Sequence, residues 1–395
     1  MATWEYNNLG QRTGAPPVQG NPFGYAWERD ETQHIIYRGT DNQIHEIWYR
    51  DGWIGEDWHH NPIGQVAGGP TAASDPAGYA WEKDKTQHVV YVGTDGQIHE
   101  LWSRRGKWGH NPVGALTGAP PAAGNPSGYA WESDKTQHIV YRGQDNQIHE
   151  IWYRDGWVGD DWHHNAIGKK VGAPKAASDP FGYAWERDGT QHVIYRATDN
   201  QVYEIWGRRG KWGFNAIGER TGAPPAVGNP SGYAWEKDGT QHIIYRSANG
   251  HLHEIWYRDA WVGEDWHYKN ITTESKAPLA ASDPFGYSWE KDGTQHVIYR
   301  GKDNVIYELW YREDKWVLNP IGRSVGAPAA AGNPVGYSWE KDDTQHVIYK
   351  GTDNRIHELF SKRDGLISNV AAGVTELGLD ALKKGLDLGG LFGKR

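Results

Sequence analysis

The chain is built from seven copies of one short pattern, and this repetition constrains the fold more than any other feature of the sequence. The string GYAWE or GYSWE begins at Gly24, Gly78, Gly128, Gly182, Gly232, Gly286 and Gly336. The spacing between copies alternates between 54 and 50 residues, so a two-copy unit of 104 residues has itself been repeated. A period of this length indicates an array of similar supersecondary units around one axis or along one.

Each copy contains four segments with the composition of short β-strands. In the first copy they cover residues 25–28, 33–38, 44–49 and 58–63. Val, Ile, Tyr and Trp are frequent in them, Gly, Pro, Asn or Asp bound them, and no helical period is present. Four short strands per repeat predict an all-β fold, a β-propeller of seven four-stranded antiparallel blades.

The two ends of the repeat array predict how the ring closes. A Trp precedes every later GY motif by 20 residues, and Trp4 stands at the same distance before Gly24. The N-terminus therefore supplies a fourth strand without the three before it, and the seventh copy supplies three strands without a fourth. We expect residues 3–9 to complete the last blade, so that the propeller domain covers residues 1–363 without an exposed sheet edge.

The segments that precede the GY motifs have structural roles in this interpretation. They are rich in Pro and Gly, as in GAPPAAGNP, and are expected to connect the outer strand of one blade to the inner strand of the next. The Gly of each GY motif is expected to allow close approach of neighbouring strands near the axis.

Composition excludes several classes of protein. The chain has no Cys, which excludes disulfide frameworks and Cys-ligated zinc sites, and no apolar run long enough to cross a membrane. Its 50 acidic and 41 basic residues give a net charge of -9, which argues against a nucleic-acid partner. The first residues lack the basic and apolar regions of a secretory signal. These features predict a soluble protein that is cytoplasmic or released by a non-classical route.

The hairpin after each GY motif holds the candidate binding residues. Its turn ends in Asn or Gly in every copy, and because these residues tolerate the left-handed conformation we expect a three-residue loop. That register places His34, Arg38, Glu46 and Trp48 on one face. Carboxylates accept hydrogen bonds from sugar hydroxyls, His and Arg donate them, and indoles pack on sugar C–H surfaces. The alternative is a polar set that only joins strand to strand.

The candidate carbohydrate-binding residues are the repeated His, Glu and Trp positions, with an additional Trp in the longer loops of the first, third and fifth copies. They are His34, Glu46, Trp48, Trp53, His88, Glu100, Trp102, His138, Glu150, Trp152, Trp157, His192, Glu204, Trp206, His242, Glu254, Trp256, Trp261, His296, Glu308, Trp310, His346 and Glu358. If the loop Trp residues anchor a sugar, strong sites alternate around the ring; alternatively, each covers the underside of its own loop. Copy two should be weakest, because Val92 replaces the Arg or Lys of the other copies.

This pattern resembles that of β-propeller lectins, notably the six-bladed fungal and the seven-bladed bacterial fucose-binding lectins, and more loosely the tachylectin-like and tectonin-like propellers. In the fungal group a strand-two Arg and a Glu twelve residues later hold the sugar. Glu46 and its equivalents match that Glu, whereas His34 stands where the Arg would be. The resemblance covers all seven copies and implies a multivalent, non-catalytic lectin without cofactors that binds glycans on cell surfaces or glycoproteins. The His leaves the sugar unassigned.

Enzymatic and metal-binding functions are the alternatives to weigh at these residues. A sialidase-like glycosidase would also be a propeller, but catalysis needs a few differently tuned groups that converge once, and here almost every ionisable residue is one of seven copies. The adjacent pairs His59 with His60 and His163 with His164 point to opposite faces if they lie on strands, so neither pair can chelate one ion. We expect them on surface loops and predict no metal site.

The C-terminal segment, residues 364–395, differs from the repeats because it has neither Trp nor Tyr. Ile367, Val370, Val374 and Leu377 follow helical spacing, which predicts an amphipathic helical tail that is unstable alone. The tail either folds back on the ring or docks elsewhere. In the second case the protein is an interaction scaffold or a structural component of a larger assembly, with a protein partner or self-association through residues 366–395.

Overall fold

A computed structural model describes residues 3–50, 58–154, 162–258 and 266–362. These residues form seven separate four-stranded antiparallel sheets, whose inner strands contact one another in a closed ring. The prediction of an all-β, seven-bladed propeller is therefore confirmed. The predicted helical tail lies outside the described residues, and in the part that is described no helix is long and apolar enough to cross a membrane.

Every blade has the same order of strands from the axis outwards. The first strands are β2 (Phe23–Trp27), β6 (Ala77–Trp81), β10 (Ser127–Trp131), β14 (Phe181–Trp185), β18 (Ala226–Trp235), β22 (Phe285–Trp289) and β26 (Val335–Trp339). The second strands are β3 (Thr32–Arg38), β7 (Thr86–Val92), β11 (Thr136–Arg142), β15 (Thr190–Arg196), β19 (Thr240–Ser247), β23 (Thr294–Arg300) and β27 (Thr344–Lys350). The third strands are β4 (Ile44–Arg50), β8 (Ile98–Arg104), β12 (Ile148–Arg154), β16 (Val202–Arg208), β20 (Leu252–Arg258), β24 (Ile306–Arg312) and β28 (Ile356–Lys362).

The outermost strand of a blade is followed by one turn of helix. The fourth strands are β5 (Trp58–Asn61), β9 (Lys107–Asn111), β13 (Trp162–Asn165), β17 (Lys211–Asn215), β21 (Trp266–Asn270) and β25 (Lys315–Asn319), with β1 (Trp4–Asn8) in the seventh blade. The helices are α1 (Leu9–Thr13), α2 (Ile63–Ala67), α3 (Val113–Thr117), α4 (Ile167–Val171), α5 (Ile217–Thr221), α6 (Ile271–Ser275) and α7 (Ile321–Ser324).

The hairpin between the second and third strands has the predicted three-residue loop. The Gly39 N–H donates to the Gln43 carbonyl at 2.9 Å, and Asn42 ends the loop with φ of 60°. Ile36 consequently lies opposite Glu46, and His34 opposite Trp48. The left-handed residue thus sets a register that brings His34 and Glu46 to the same face.

The N-terminal strand closes the ring as predicted. β1 pairs antiparallel with β28, from Trp4 opposite Ser361 to Asn8 opposite His357. Trp4 and Leu9 are both buried in this junction. The seventh sheet is thereby completed by residues from opposite ends of the propeller sequence. The domain boundary at residue 363 stays a prediction, because the described residues end at Lys362.

The fourth strand of the first copy is shorter than the predicted 58–63 segment. β5 ends at Asn61, and after Pro62 the chain forms α2. Gly68 ends this helix with φ of 72°, a conformation that favours Gly. The helix contributes Ile63, whose side chain is fully buried, so the crossover adds to the core as well as connecting two blades.

Neighbouring blades meet at the Gly and Tyr of the GY motifs. A Cβ on Gly78 would lie 2.5 Å from Tyr25 Cε1, so only Gly allows this Tyr ring to pack against the next inner strand. The Tyr25 hydroxyl then donates to Gln87 Oε1 in that blade, and the same bond recurs at all seven junctions with lengths of 2.5–2.8 Å. The expected packing role of this Gly is confirmed.

A ring of carboxylates joins the blades at the end of the inner strands. Glu82 accepts hydrogen bonds from the backbone N–H groups of Glu28 at 2.9 Å and Arg29 at 3.0 Å, one blade earlier. The pattern continues around the ring until Glu28 accepts from Glu340 and Lys341. Burial raises the pKa of Glu28, although the two backbone donors oppose that shift.

At the opposite end of the inner strands, a second ring of Asn and Asp side chains surrounds the axis. Its members accept hydrogen bonds from the backbone N–H group of the same position in the preceding blade, as in Asn21 to Asp75 Oδ2 and Asp75 to Asn125 Oδ1, both 3.0 Å. Arg38 Nη2 lies 3.7 Å from Asp75 Oδ1. Phe285 contacts both Phe23 and Phe181 beside this ring, where the remaining cavity is ≈ 150 Å³.

Deletion of residues 3–9 should lower the melting temperature by at least about 10 °C, or abolish soluble expression, because it removes two buried apolar side chains and exposes the edge of β28. Thermal unfolding of the purified deletion variant measures this. A circular permutant of residues 3–362 that joins Lys362 to Thr3 through an Arg-Gly turn, as in the second blade, and opens the chain at Gly14 is the control. It should retain the melting temperature of the unpermuted residues 3–362. Equal stability of the deletion variant would contradict closure by β1.

The triple variant Asp75→Asn, Asp179→Asn, Asp283→Asn should change the pH dependence of stability. Burial raises the pKa of each of these carboxyl groups. A raised pKa in the folded state contributes stability that is present below the ordinary Asp value of about 3.9 and is lost as pH rises through the folded value. Relative to the parent, the variant should therefore gain stability between about pH 3 and 7.

Urea unfolding at a series of pH values measures this difference, and Asp41→Asn is the control. Although partial burial alone would raise the pKa of Asp41, bonds from the Gln43 N–H and from His45 hold it below its ordinary value. That variant should therefore lose stability relative to the parent as pH rises. If the free energies of unfolding of the triple variant and the parent differ by the same amount at every pH, burial does not raise the pKa of these carboxyl groups.

Candidate functional site

The predicted His, Glu and Trp side chains face the spaces between blades. We call the space between the first and second blades cleft 1, and number the others in chain order. Cleft 1 has a volume of ≈ 950 Å³, cleft 2 of ≈ 310 Å³ and cleft 5 of ≈ 220 Å³. His34, Glu46 and Trp48 line cleft 1, and the equivalent residues of the second and fifth blades line clefts 2 and 5.

Within each blade, the predicted His and Glu bind each other. His88 Nδ1 lies 2.8 Å from Glu100 Oε1, and the seven equivalent distances span 2.7–2.9 Å. Both side chains are buried in every blade. The prediction that the His and the Glu lie on one face of the blade is thus correct. The two side chains form a hydrogen-bonded pair at the floor of the cleft.

The remaining polar atoms of this pair also have protein partners. Glu100 Oε2 accepts from Asn111 Nδ2 at 2.7 Å, and the same bond joins the Glu to an Asn of the fourth strand in six blades. His88 Nε2 lies 2.8 Å from the Thr86 hydroxyl. The network connects the second, third and fourth strands, so the alternative of a strand-to-strand polar set describes the His and the Glu better than direct sugar contact does.

The Trp of the third strand is the most accessible member of the predicted set. Trp48, Trp102, Trp152, Trp206, Trp256 and Trp310 are all half-buried. One face of Trp48 stacks on His59 with ring centroids 4.4 Å apart, whereas Trp102 packs against Gly109. In the seventh blade Phe360 takes this position and stacks on His346. An aromatic ring thus stands above each His–Glu pair.

A second aromatic residue, absent from the predicted set, lines the same clefts. Trp27, Trp81 and Trp235 end the inner strands and border clefts 1, 2 and 5. Their indole Nε1 atoms, and those of the four equivalent Trp residues, are buried and have no acceptor among the residues described. Because these N–H groups are buried, the inner-strand Trp offers the cleft no accessible donor. The signal for it was the Trp of GYAWE, which recurs in every copy.

An ion pair lies at the mouth of several clefts. Arg104 Nη2 is 2.7 Å from Asp84 Oδ1, and the equivalent distance from Arg154 to Asp134 is 2.5 Å. The Thr86 hydroxyl is 3.0 Å from Asp84 Oδ2, which links this pair to the network around His88. These Arg and Asp residues were also absent from the predicted set, since the loops that bring them together are far apart in sequence.

The next blade supplies the opposite wall, and that wall differs between clefts. Tyr153 and Trp162 line cleft 2, and Tyr311 lines cleft 5. At the equivalent position in the second blade, facing cleft 1, the chain has Ser103, which is fully buried. A Tyr thus narrows clefts 2 and 5, whereas cleft 1 is bordered by Trp108.

Two sets of predicted residues remain: the loop Trp residues, which the structure does not describe, and the second-strand Arg, which lies elsewhere. Trp53, Trp157 and Trp261 lie outside the described residues, so their role as anchors stays a prediction. Arg38 and its equivalents lie at the axial ring of Asn and Asp, where Arg142 Nη2 also donates to the Ala123 carbonyl at 2.9 Å. The replacement of this Arg by Val92 therefore gives no reason to expect weaker binding at the second copy.

The adjacent His residues lie on strands, so the prediction of surface loops was wrong. His59 and His60 belong to β5 and point to opposite faces as expected: His59 stacks on Trp48, and His60 Nε2 lies 3.0 Å from His45 Nδ1. Burial, with a further contribution from His45, lowers the pKa of His60. Throughout residues 3–50, 58–154, 162–258 and 266–362, no group of three or more potential ligands could hold a metal ion.

Comparisons with known proteins identify similar folds. No family model and no curated protein matches the chain. The BP39L lectin from Burkholderia pseudomallei has a TM-score of 0.63 and 12% identity, with 87% of this chain and 96% of that chain covered. AofleA from Arthrobotrys oligospora has a TM-score of 0.52 and 14% identity, with coverage of 81% and 90%.

The lectin from Aleuria aurantia, described as a six-bladed β-propeller with a novel mode of fucose recognition, has a TM-score of 0.51 and 16% identity, with coverage of 76% and 95%. These similarities confirm, at the level of the fold, the predicted resemblance to propeller lectins.

Glu150→Ala should destabilise the protein by about 1–3 kcal/mol, because it leaves the donors of His138 and Asn165 without an acceptor in a buried site. The urea midpoint of unfolding measures this. The exposed Glu219 is the control, and its replacement by Ala should stay within about 0.5 kcal/mol of the parent. Unchanged stability of Glu150→Ala would show that the His–Glu pair does not hold the strands together.

Proposed function

We propose that the protein is a multivalent lectin that binds glycans of cell surfaces or glycoproteins in the clefts between its blades, without catalysis. The observation that carries the proposal is the repeated cleft itself: a half-buried aromatic ring and a charged mouth recur from blade to blade. The lectins with similar folds support it as an analogy of fold.

The chemistry of the cleft suits a sugar ring. Aromatic faces such as that of Trp102 pack on C–H surfaces, while the Arg104–Asp84 pair offers donors and acceptors for hydroxyl groups. The His88–Glu100 pair beneath them has a positioning role, because it fixes the strand that carries Trp102. In this proposal Glu100 and its equivalents support the site rather than supply its hydrogen bonds.

Repetition supports binding over catalysis. Glycosidic cleavage requires two carboxyl groups of different acidity that face one bond. The carboxylate at the floor of cleft 2 is committed to His88 and Asn111, and the one at its mouth to Arg104. Weak sites on one rigid ring would instead gain avidity of about 10²–10⁴ on a glycan-dense surface without new contacts.

To test the proposal, the full-length protein is first screened on a glycan array. Calorimetry with the best monovalent sugar then measures the binding. Trp102→Ala should reduce the number of bound sugars by one if cleft 2 is competent, because the aromatic platform is lost. Trp102→Phe is the matched control that should keep the site, since the seventh blade has Phe360 at this position.

Binding to a glycan-coated surface should be at least about 100-fold tighter than to the free sugar. An array without any bound glycan, together with capture of a protein that is lost when residues 366–395 are removed, would contradict the lectin function and favour the scaffold.

A further inference from the structure

Cleft 1 differs from the other two measured clefts in its charge. Its walls hold six cationic side chains and three carboxylates, although the whole chain has a net charge of -9. The cations are Arg29, Arg50, Lys83, Lys85, Arg104 and Arg105. Clefts 2 and 5 hold at least as many carboxylates as cations. An excess of positive charge is thus concentrated in one concave site, where low-dielectric walls strengthen its field.

Only two of these six cations pair with a carboxylate among the described residues. Arg50 pairs with Asp30 and Arg104 with Asp84, and Lys83 Nζ donates to the Glu132 carbonyl at 2.8 Å. Arg29, Lys85 and Arg105 are exposed and have no carboxylate within ion-pair distance among the described parts of the chain. Arg29 comes from the first blade, and Lys85 and Arg105 come from two hairpins of the second, so the three cations lie on both walls of the cleft.

The same cleft is also the widest of the three and keeps its aromatic surfaces. Ser103 replaces the Tyr that narrows clefts 2 and 5, and Trp27, Trp48 and Trp108 remain in the walls. The combination of aromatic faces with unpaired cations fits a sugar ring that bears a negative charge, since Arg binds carboxylate and sulfate groups through paired N–H donors.

We infer that cleft 1 binds an acidic saccharide, a sugar whose carboxylate or sulfate group contacts Arg29, Lys85 and Arg105. This inference rests on the proposed lectin function and adds a ligand class to one of its sites. The charge at the position of Arg105 differs between blades. In the sixth blade the equivalent residue is Glu313, and the adjacent Asp314 lines cleft 5. One ring thus carries a site for acidic sugars and at least one site that repels them.

Calorimetry of the full chain with lactose, 3′-sialyllactose and 3′-sulfolactose tests this inference. The three probes share one core and differ in having no charge, a carboxylate or a sulfate. At low salt we expect at least one acidic probe to bind about tenfold or more tightly than lactose, and this preference to shrink in about 0.5 M salt because the cations are exposed.

The double variant Lys85→Gly, Arg105→Glu should lose this preference and leave the binding of neutral glycans unchanged. Both positions tolerate the change: Lys85 has φ of 62°, where the fourth, fifth and sixth blades have Gly, and Glu313 has φ of 53° against 54° at Arg105. The control Lys135→Gly, Lys302→Glu makes the same change of charge away from cleft 1 and should keep the preference.

The outcomes separate this inference from the proposed function. If neutral glycans bind but no acidic probe is preferred, or if the double variant retains the preference, cleft 1 is not an acidic-sugar site and the lectin function stands. If single-stranded oligothymidylate binds cleft 1 with the same dependence on Lys85 and Arg105 and no saccharide does, the site recognises a polynucleotide and the inference is wrong. If no saccharide of any kind binds, the lectin function itself fails.

Discussion

The contact on which the ring depends is that between a Tyr and a Gly of neighbouring inner strands. Tyr25 occupies the volume that a Cβ on Gly78 would fill, and its hydroxyl ends on Gln87 of the same neighbouring blade. Each junction fixes the distance and the orientation between two neighbouring sheets. The seven junctions together therefore determine the rotation from each blade to the next. Burial raises the pKa of Tyr25 well above its ordinary value, so the hydroxyl stays a neutral donor. The clefts are the wedge-shaped spaces that remain outside these contacts.

The residues that recur around the ring divide into two groups once the blades are assembled. His88 and Glu100 are buried and bind each other and the half-buried Asn111, whereas Trp102 and Arg104, on the same strand as Glu100, reach the cleft. Repetition of a residue in the sequence therefore indicates that the residue is important to the blade. It does not distinguish a residue that joins the strands from one that faces a ligand. Burial and the hydrogen-bond partners of each side chain in the folded blade make that distinction.

Local rules explain what the sequence could predict. The left-handed Asn42 and the distance from Trp4 to Gly24 depend only on short stretches of chain, and they yielded the register of the hairpin and the closure of the ring. One turn of helix such as α2 has no periodicity to detect, so its buried Ile63 was assigned to a strand. The position of Arg38 depends on Asp75, 37 residues later in another blade. His34 is buried and contacts Tyr25 and Glu46 on the two neighbouring strands. Contacts of this kind become visible only in three dimensions.

The axial ring of Asn and Asp has an odd number of members, and this number has a structural consequence. Its members alternate as Asn21, Asp75, Asn125, Asp179, Asn229, Asp283 and Asn333, following the two-copy unit of the sequence. A cycle with an odd number of members cannot alternate perfectly, so one pair of like neighbours is unavoidable. Here that pair is Asn333 and Asn21, joined by a bond of 2.8 Å from the Asn333 N–H to Asn21 Oδ1. Had the array begun one copy later, two buried carboxylates would have met there and repelled each other. The order of the copies thus places the unavoidable pair of like neighbours between two uncharged amides, at the junction of the seventh and first blades.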